Sequence, residues 1–190
     1  MTTDQIHSPT SIRILLADDH TVMRQGLSGL LQRQVGLTVV GEANNGHQTV
    51  ELYRRHRPDI LLTDIEMPLM DGVTALAAIR TEDPAARGIL LTMHARDGDI
   101  IRGLRAGAMG YLLKDAPLDT LLEAIRTVYA GQHWVAPVVG AKLAVQIAAA
   151  LRMSEGTVKF HINHVLHKLG VTDRTQAVLT ALKRGFAYLD

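Results

Sequence analysis

A chain of 190 residues has room for one large domain or two small ones, and its 47% hydrophobic and 21% charged residues are ordinary for a globular protein. It holds no cysteine, which excludes a disulfide framework and a thiolate metal centre. The net charge of +1 hides an asymmetry: residues 141–190 carry seven Lys/Arg against three Asp/Glu, which makes them +4 and leaves −3 for the first 140. An acidic front and a basic back predict two jobs, the second one compatible with nucleic acid.

The opening Met1-Thr2-Thr3-Asp4-Gln5-Ile6-His7 has no basic region or apolar core, so residues 1–10 are predicted to be a polar, disordered tail rather than a signal peptide. The apolar stretches are too short and interrupted to span a membrane. A cytoplasmic location and no membrane partner follow as expectations.

The first strand is the run Ile12-Arg13-Ile14-Leu15-Leu16-Ala17, ended by Asp18 and Asp19. His20 to Gln34 has helical periodicity through Val22, Leu27, Leu30 and Leu31. Leu37 to Glu42 is a β-branched run. Gly46 to Arg57 reads as a helix stopped by Pro58. A third strand, Asp59 to Asp64, leads into the turn signal Met67-Pro68-Leu69-Met70-Asp71-Gly72 and a helix from Val73 to Arg80. Gly88 to Thr92 is the fourth strand, followed by a helix near Asp97 to Arg105 that closes at Gly107. The fifth strand, Tyr111-Leu112-Leu113, ends at Lys114, and Pro117 suits the first residue of a helix running to Ala130, with Gly131 as its stop.

Repeated strand–helix units of this kind predict a parallel α/β sheet with right-handed crossovers. Ligands of such sheets bind outside the carboxyl ends of the strands. Asp18, Asp19, Asp64 and Lys114 all fall there. Three carboxylates do not share a pocket in ionised form without a cation, and hard oxygen ligands suit Mg²⁺. Lys114 then offers a point charge to a phosphoryl group. The pattern predicts a phosphate-accepting site.

Gly131 to Gly140 breaks the pattern, so 132–140 is expected to be a linker. Beyond it the chain reads as helical. Ala144, Ile147, Ala148 and Leu151 share one face, and Ser154 is a suitable N-cap. The following helix places Val158, Ile162, Val165, Leu166 and Leu169 inward and Lys159, Phe160, Asn163 and His167 outward. Gly170 ends it, and a last helix runs from Thr172 or Asp173 to about Arg184.

Asp18-Asp19, the segment Leu62-Thr63-Asp64-Ile65-Glu66-Met67-Pro68, Asp71-Gly72, Thr92 and Lys114 together resemble the receiver domain of a bacterial response regulator, over residues 11–131. The resemblance implies a flavodoxin-like five-stranded parallel sheet of order 2-1-3-4-5. It makes Asp64 the acceptor of a phosphoryl group from a sensor histidine kinase. It also makes Asp19 a direct Mg²⁺ ligand, Asp18 the holder of the water shell, and the Glu66 backbone carbonyl a further ligand. Lys114 would pair with phosphate oxygens, the Thr92 hydroxyl would bind one, and Tyr111 would rotate inward as Thr92 moves. Glu66 and His94 lie where the family tunes the lifetime of the aspartyl-phosphate. A metabolic phosphatase would carry Asp-x-Asp, and here Glu66 stands at the second position.

The segment Ser154-Glu155-Gly156-Thr157-Val158-Lys159-Phe160-His161 through Lys168-Leu169-Gly170-Val171, with Asp173-Arg174-Thr175-Gln176-Ala177-Val178, resembles the small all-α helix-turn-helix output domain of NarL/FixJ (LuxR-type) regulators, over residues 141–190. That resemblance implies double-stranded DNA as partner. Lys159, Phe160 and Asn163 would lie near base edges, and Thr157, Lys168 and Arg174 on phosphates. A homodimer on phosphorylation is expected. The sequence departs from the family where Gly140-Ala141-Lys142-Leu143-Ala144 runs directly into Ile147-Ala148-Ala149-Ala150-Leu151, so the first helix of the domain is missing. Two readings stay open at this point: a transcriptional regulator, or a phosphorylation-gated interaction module whose shortened output domain no longer binds DNA.

Overall fold

The computed structural model describes residues 11–93, 97–137 and 139–140. The chain divides into two compact units between Ala86 and Arg87.

In the first unit, β1 (Ile12–Ala17), β2 (Leu37–Ala43) and β3 (Ile60–Asp64) form a parallel array in which β1 lies between the other two. Register runs from Ile12 opposite Leu37 to Ala17 opposite Ala43, with an irregularity between Ile14 and Leu15. On the other side, Ile14 pairs with Ile60 and Ala17 with Thr63. Every residue of β3 is buried, as expected of a strand covered on both faces. The matched register brings the ends of β1 and β3 level, which sets Asp18 and Asp64 beside each other.

Helices α1 (Thr21–Gln32), α2 (Gly46–His56) and α3 (Gly72–Glu82) follow the three strands. The Asn45 side chain accepts from the Gln48 amide and caps α2, while Arg57 ends it in the left-handed region, φ 43°, just before Pro58. The Asp71 side chain accepts from the Thr74 amide at 2.7 Å and caps α3. The α1 face differs from the expectation. Leu31 is buried and Leu27 half-buried, yet Val22 is 86% exposed and Leu30 44%. Nine residues separate Val22 from Leu31; at 3.6 residues per turn that is two and a half turns, so the two point to opposite sides.

In the second unit, β4 (Gly88–Thr92), β5 (Gly110–Leu113) and β6 (Trp134–Val135) are parallel, with β5 in the middle. Ile89 pairs with Gly110 and Thr92 with Leu113. Helices α4 (Asp97–Arg105) and α5 (Leu118–Tyr129) connect them. Pro117 is the N-cap rather than the first helical residue: its ring fixes φ at −55° but leaves ψ extended at 148°, and its carbonyl accepts from Thr120 and Leu121. The expected runs 2-1-3 and 4-5 are found within their units. The strand β6 was not expected, since a two-residue strand inside Gly131–Gly140 leaves no alternation to read.

Candidate functional site

The acidic turn begins with Asp18, whose amide extends the β1–β2 ladder by donating to the Ala43 carbonyl at 3.0 Å. Asp18 is fully buried, and its Oδ1 accepts from the His20 amide at 2.8 Å. That bond folds the turn so that His20 caps α1 in extended geometry. One helical turn later, Arg24 reaches back. Its Nη1 donates to the Asp18 carbonyl at 2.6 Å and its Nε lies 3.4 Å from Glu42 on β2. Helix α1 and both strands thereby hold the turn.

Asp64 ends β3 and is buried, at 3% exposure. Its Oδ1 accepts from the Glu66 amide at 3.3 Å, and the Thr63 hydroxyl donates to its backbone carbonyl at 3.1 Å. The Gly72 amide donates to the Ile65 carbonyl at 3.0 Å, which folds the loop back over the strand end. A Cβ at Gly72 would lie 1.8 Å from the Asp64 carbonyl oxygen, so only glycine fits this approach. Ala17, Ala43 and Met67 pack beneath, with Leu52 against them.

The outcome is a cluster. Ligand atoms of Asp18, Asp19, His20 and Asp64 all lie within 4.8 Å of one another. His20 Nδ1 is 2.9 Å from Asp19 Oδ1 and 3.5 Å from Asp18 Oδ1, but His20 is 71% exposed. Asp19 Oδ1 is buried, and among the described residues no group, His20 included, meets it in hydrogen-bond geometry. A buried carboxylate oxygen so placed, beside two more carboxylates, is suited to a divalent cation. The residues fit one. Glu66 itself is exposed at the rim.

Thr92, at the end of β4, is 5% exposed, and Lys114, half-buried, donates its amide to the Thr92 carbonyl at 2.8 Å. Tyr111 is buried in β5. Burial holds its phenol above the usual range, the Asp99 carboxylate adds to that, and the Thr92 hydroxyl works against it. The Thr92 side chain does not meet the tyrosine in full hydrogen-bond geometry: the Tyr111 hydroxyl is buried with no partner among the described residues.

Residues 14–126 match the family described as the response regulator receiver domain, and residues 142–181 the bacterial regulatory proteins of the luxR family. The chain is a LuxR-type response regulator. It is 32% identical to the uncharacterized transcriptional regulatory protein YxjL of Bacillus subtilis, over 92% of this chain and 96% of that one. It is 31% identical to the probable transcriptional regulatory protein NarL of Mycobacterium tuberculosis, over 93% of this chain and 96% of that one. The crystal structure of a LuxR-family two-component response regulator from Aurantimonas sp. SI85-9A1 shares the fold at TM-score 0.69 and 34% identity, covering 73% of this chain and 99% of that chain. Fold class and family are therefore those expected, a flavodoxin-like receiver followed by a luxR-type segment. The alignment with YxjL spans 210 residues, more than the 190 of this regulator, so the relative carries residues that this one lacks. That agrees with a shortened output domain.

His94, and Thr157, Lys159, Phe160, Asn163, Lys168 and Arg174, the residues expected to contact DNA, lie outside the described residues. His20 and Arg24 were not singled out from the sequence. His20 directly follows the acid pair, and Arg24 stands one helical turn beyond it; that spacing was the only signal available. Among the described residues no helix is long and apolar enough to cross a membrane.

Proposed function

We propose that Asp64 takes a phosphoryl group from a sensor histidine kinase, and that the modification governs DNA binding by the luxR-type segment. The observation that carries this reading is the convergence of Asp18, Asp19 and Asp64 oxygens within 4.8 Å at the ends of β1 and β3. In this reading Asp19 and Asp64 hold Mg²⁺ with the Glu66 carbonyl, and Asp18 orients its water. When bound, the cation neutralises charge on the phosphoryl group. This chain's residues do the rest. Asp64 presents its oxygen, Lys114 pairs with phosphate oxygens, and the Thr92 hydroxyl binds another. Phosphoryl transfer of this kind needs positioning and charge neutralisation more than covalent assistance.

Movement of Thr92 then draws on Tyr111, which is buried in β5. The phosphorylated state is a population shift of a two-state receiver. Lys159, Phe160 and Asn163 face base edges and Thr157, Lys168 and Arg174 face phosphates, with a homodimer reading paired half-sites in the cytoplasm. The luxR-family match over 142–181 favours this reading over an interaction module without DNA binding. The test is DNA affinity of the full chain before and after a small phosphodonor with Mg²⁺. A gain of about tenfold, within the usual range of allosteric coupling and absent in Asp64→Asn, is expected; equal affinity in both states contradicts the reading.

A further inference from the structure

The segment after α5 does not leave the receiver as a free connector. Strand β6 adds to β5 in parallel, with Trp134 opposite Gly110 and Val135 opposite Tyr111. The Trp134 amide donates to the Met109 carbonyl at 2.9 Å, and the Ala136 amide to the Tyr111 carbonyl at 3.1 Å. Beyond the strand, the Val139 and Gly140 amides both donate to the Ala136 carbonyl, at 2.9 and 3.0 Å. Ala136 and Val139 are buried. Two residues further on, at 142, the luxR-family match begins. The chain bound for the output segment is thus tied, through its backbone, to Tyr111.

We propose that β6 is a latch: its pairing with Tyr111 holds the linker against β5, and the shift of Tyr111 on phosphorylation releases it. The inference rests on the proposed phosphorylation of Asp64 and on Tyr111 as the responding aromatic. Three observations carry it. The strand is two residues long, so it belongs to the low-stability end of the fold, where small perturbations open structure. The Ala136 amide that follows it donates to the carbonyl of Tyr111 itself, so a displacement of that residue acts directly on this bond. The Tyr111 side chain is fully buried, and its hydroxyl has no hydrogen-bond partner in full geometry among the described residues. The plainer role, in which β6 only covers the edge of β5, predicts no response to phosphorylation.

Trp134 is the chain's only tryptophan and is half-buried, so its emission reports on β6 without a label. The experiment uses the full chain with Mg²⁺ and acetyl phosphate, following intact mass, Trp134 emission and amide hydrogen exchange over residues 132–140. The latch predicts that the phosphoryl mass gain comes with a shift in Trp134 emission and exchange about tenfold faster over 132–140. Asp64→Asn should show none of the three changes. Ala136→Pro, which removes the donor to Tyr111, should exchange fast from the start and add no further change when phosphorylated. A mass gain with emission unchanged, or with exchange over 132–140 unchanged or slower, overturns the latch and leaves the phosphorylation reading standing. No mass gain overturns the phosphorylation reading and the latch with it.

Discussion

Arg24 donates from its guanidinium to the backbone carbonyl of Asp18 at 2.6 Å, tying the first turn of α1 to the acidic pair. The same side chain lies 3.4 Å from Glu42, so one largely buried cation spans α1, the β1 end and β2. Arg24→Ala leaves the Asp18 carbonyl without that donor and should cost about 2 kcal/mol of stability, the scale of a hydrogen bond to a charged group. It should also weaken Mg²⁺ binding about tenfold, as loss of a supporting partner does at metal sites. Urea denaturation and calorimetric Mg²⁺ titration read the two effects separately. Unchanged Mg²⁺ affinity would leave Arg24 with a structural role only.

Mg²⁺ should stabilise the fold. Three carboxylates held within 4.8 Å repel one another until a cation joins them. At ten times its dissociation constant, the ion adds about 1.4 kcal/mol through binding to the folded state alone. Asp19→Asn should raise the melting temperature without Mg²⁺, by relieving repulsion, and should lose the Mg²⁺-dependent gain. Thermal melts with Mg²⁺ and with chelator decide it.

At Gly72 even one methyl group is excluded. Its Cβ would meet the Asp64 carbonyl oxygen at 1.8 Å and Thr63 Oγ1 at 2.7 Å, and the first of these is backbone that has little room to give. Gly72→Ala should destabilise the protein by about 3 kcal/mol or more, the upper part of the overpacking range. The strain falls on the peptide that carries Asp64, so the folded remainder should take up phosphoryl groups more slowly. Denaturation midpoints and rates of mass gain test both parts.

Alkali should unfold this protein through its tyrosines. Tyr53 and Tyr111 both titrate above the ordinary phenol value of about 10, Tyr53 through burial and then its hydrogen bond to Asp83, Tyr111 through burial and then Asp99. Above pH 10 the unfolded chain gives up phenol protons that the folded one keeps, so it binds fewer, and stability falls as pH rises. Below that value both states hold the proton and the effect is flat. Tyr53→Phe and Tyr111→Phe should each flatten the alkaline limb. An alkaline limb as steep in both variants as in the natural protein would contradict the assignment.

DNA binding should depend on salt. Lys168→Ala should lower affinity for all sequences and reduce the salt slope by about one, whereas Lys159→Ala should cost about 1–3 kcal/mol and relax base preference. Binding measured across salt concentrations on matched and scrambled duplexes separates the two. A chain with no salt-dependent affinity would be an interaction module instead.

The site's acids were legible because apolar runs end abruptly in charge: Leu16-Ala17 before Asp18, and Leu62-Thr63 before Asp64. A buried strand leaves that signature, and the carboxyl edge of a parallel sheet follows from it. The α1 face was not legible in the same way. Val22 and Leu30 are apolar by type, yet their angular distance from Leu31 turns them outward, and a count of apolar residues does not see angle. Strand β6 was hidden for another reason. Its order comes from backbone bonds to Met109 and Tyr111, which place no demand on residue type at Trp134 and Ala136. Arg24 contributes through a backbone carbonyl, and that too leaves no pattern in the sequence.

The central claim is that Asp64 accepts a phosphoryl group. Intact mass of the full chain before and after incubation with Mg²⁺ and acetyl phosphate tests it most directly. A gain of about 80 Da, one phosphoryl group, that disappears in Asp64→Asn and in chelator is the predicted result. No gain, or a gain that persists in Asp64→Asn, would contradict the account.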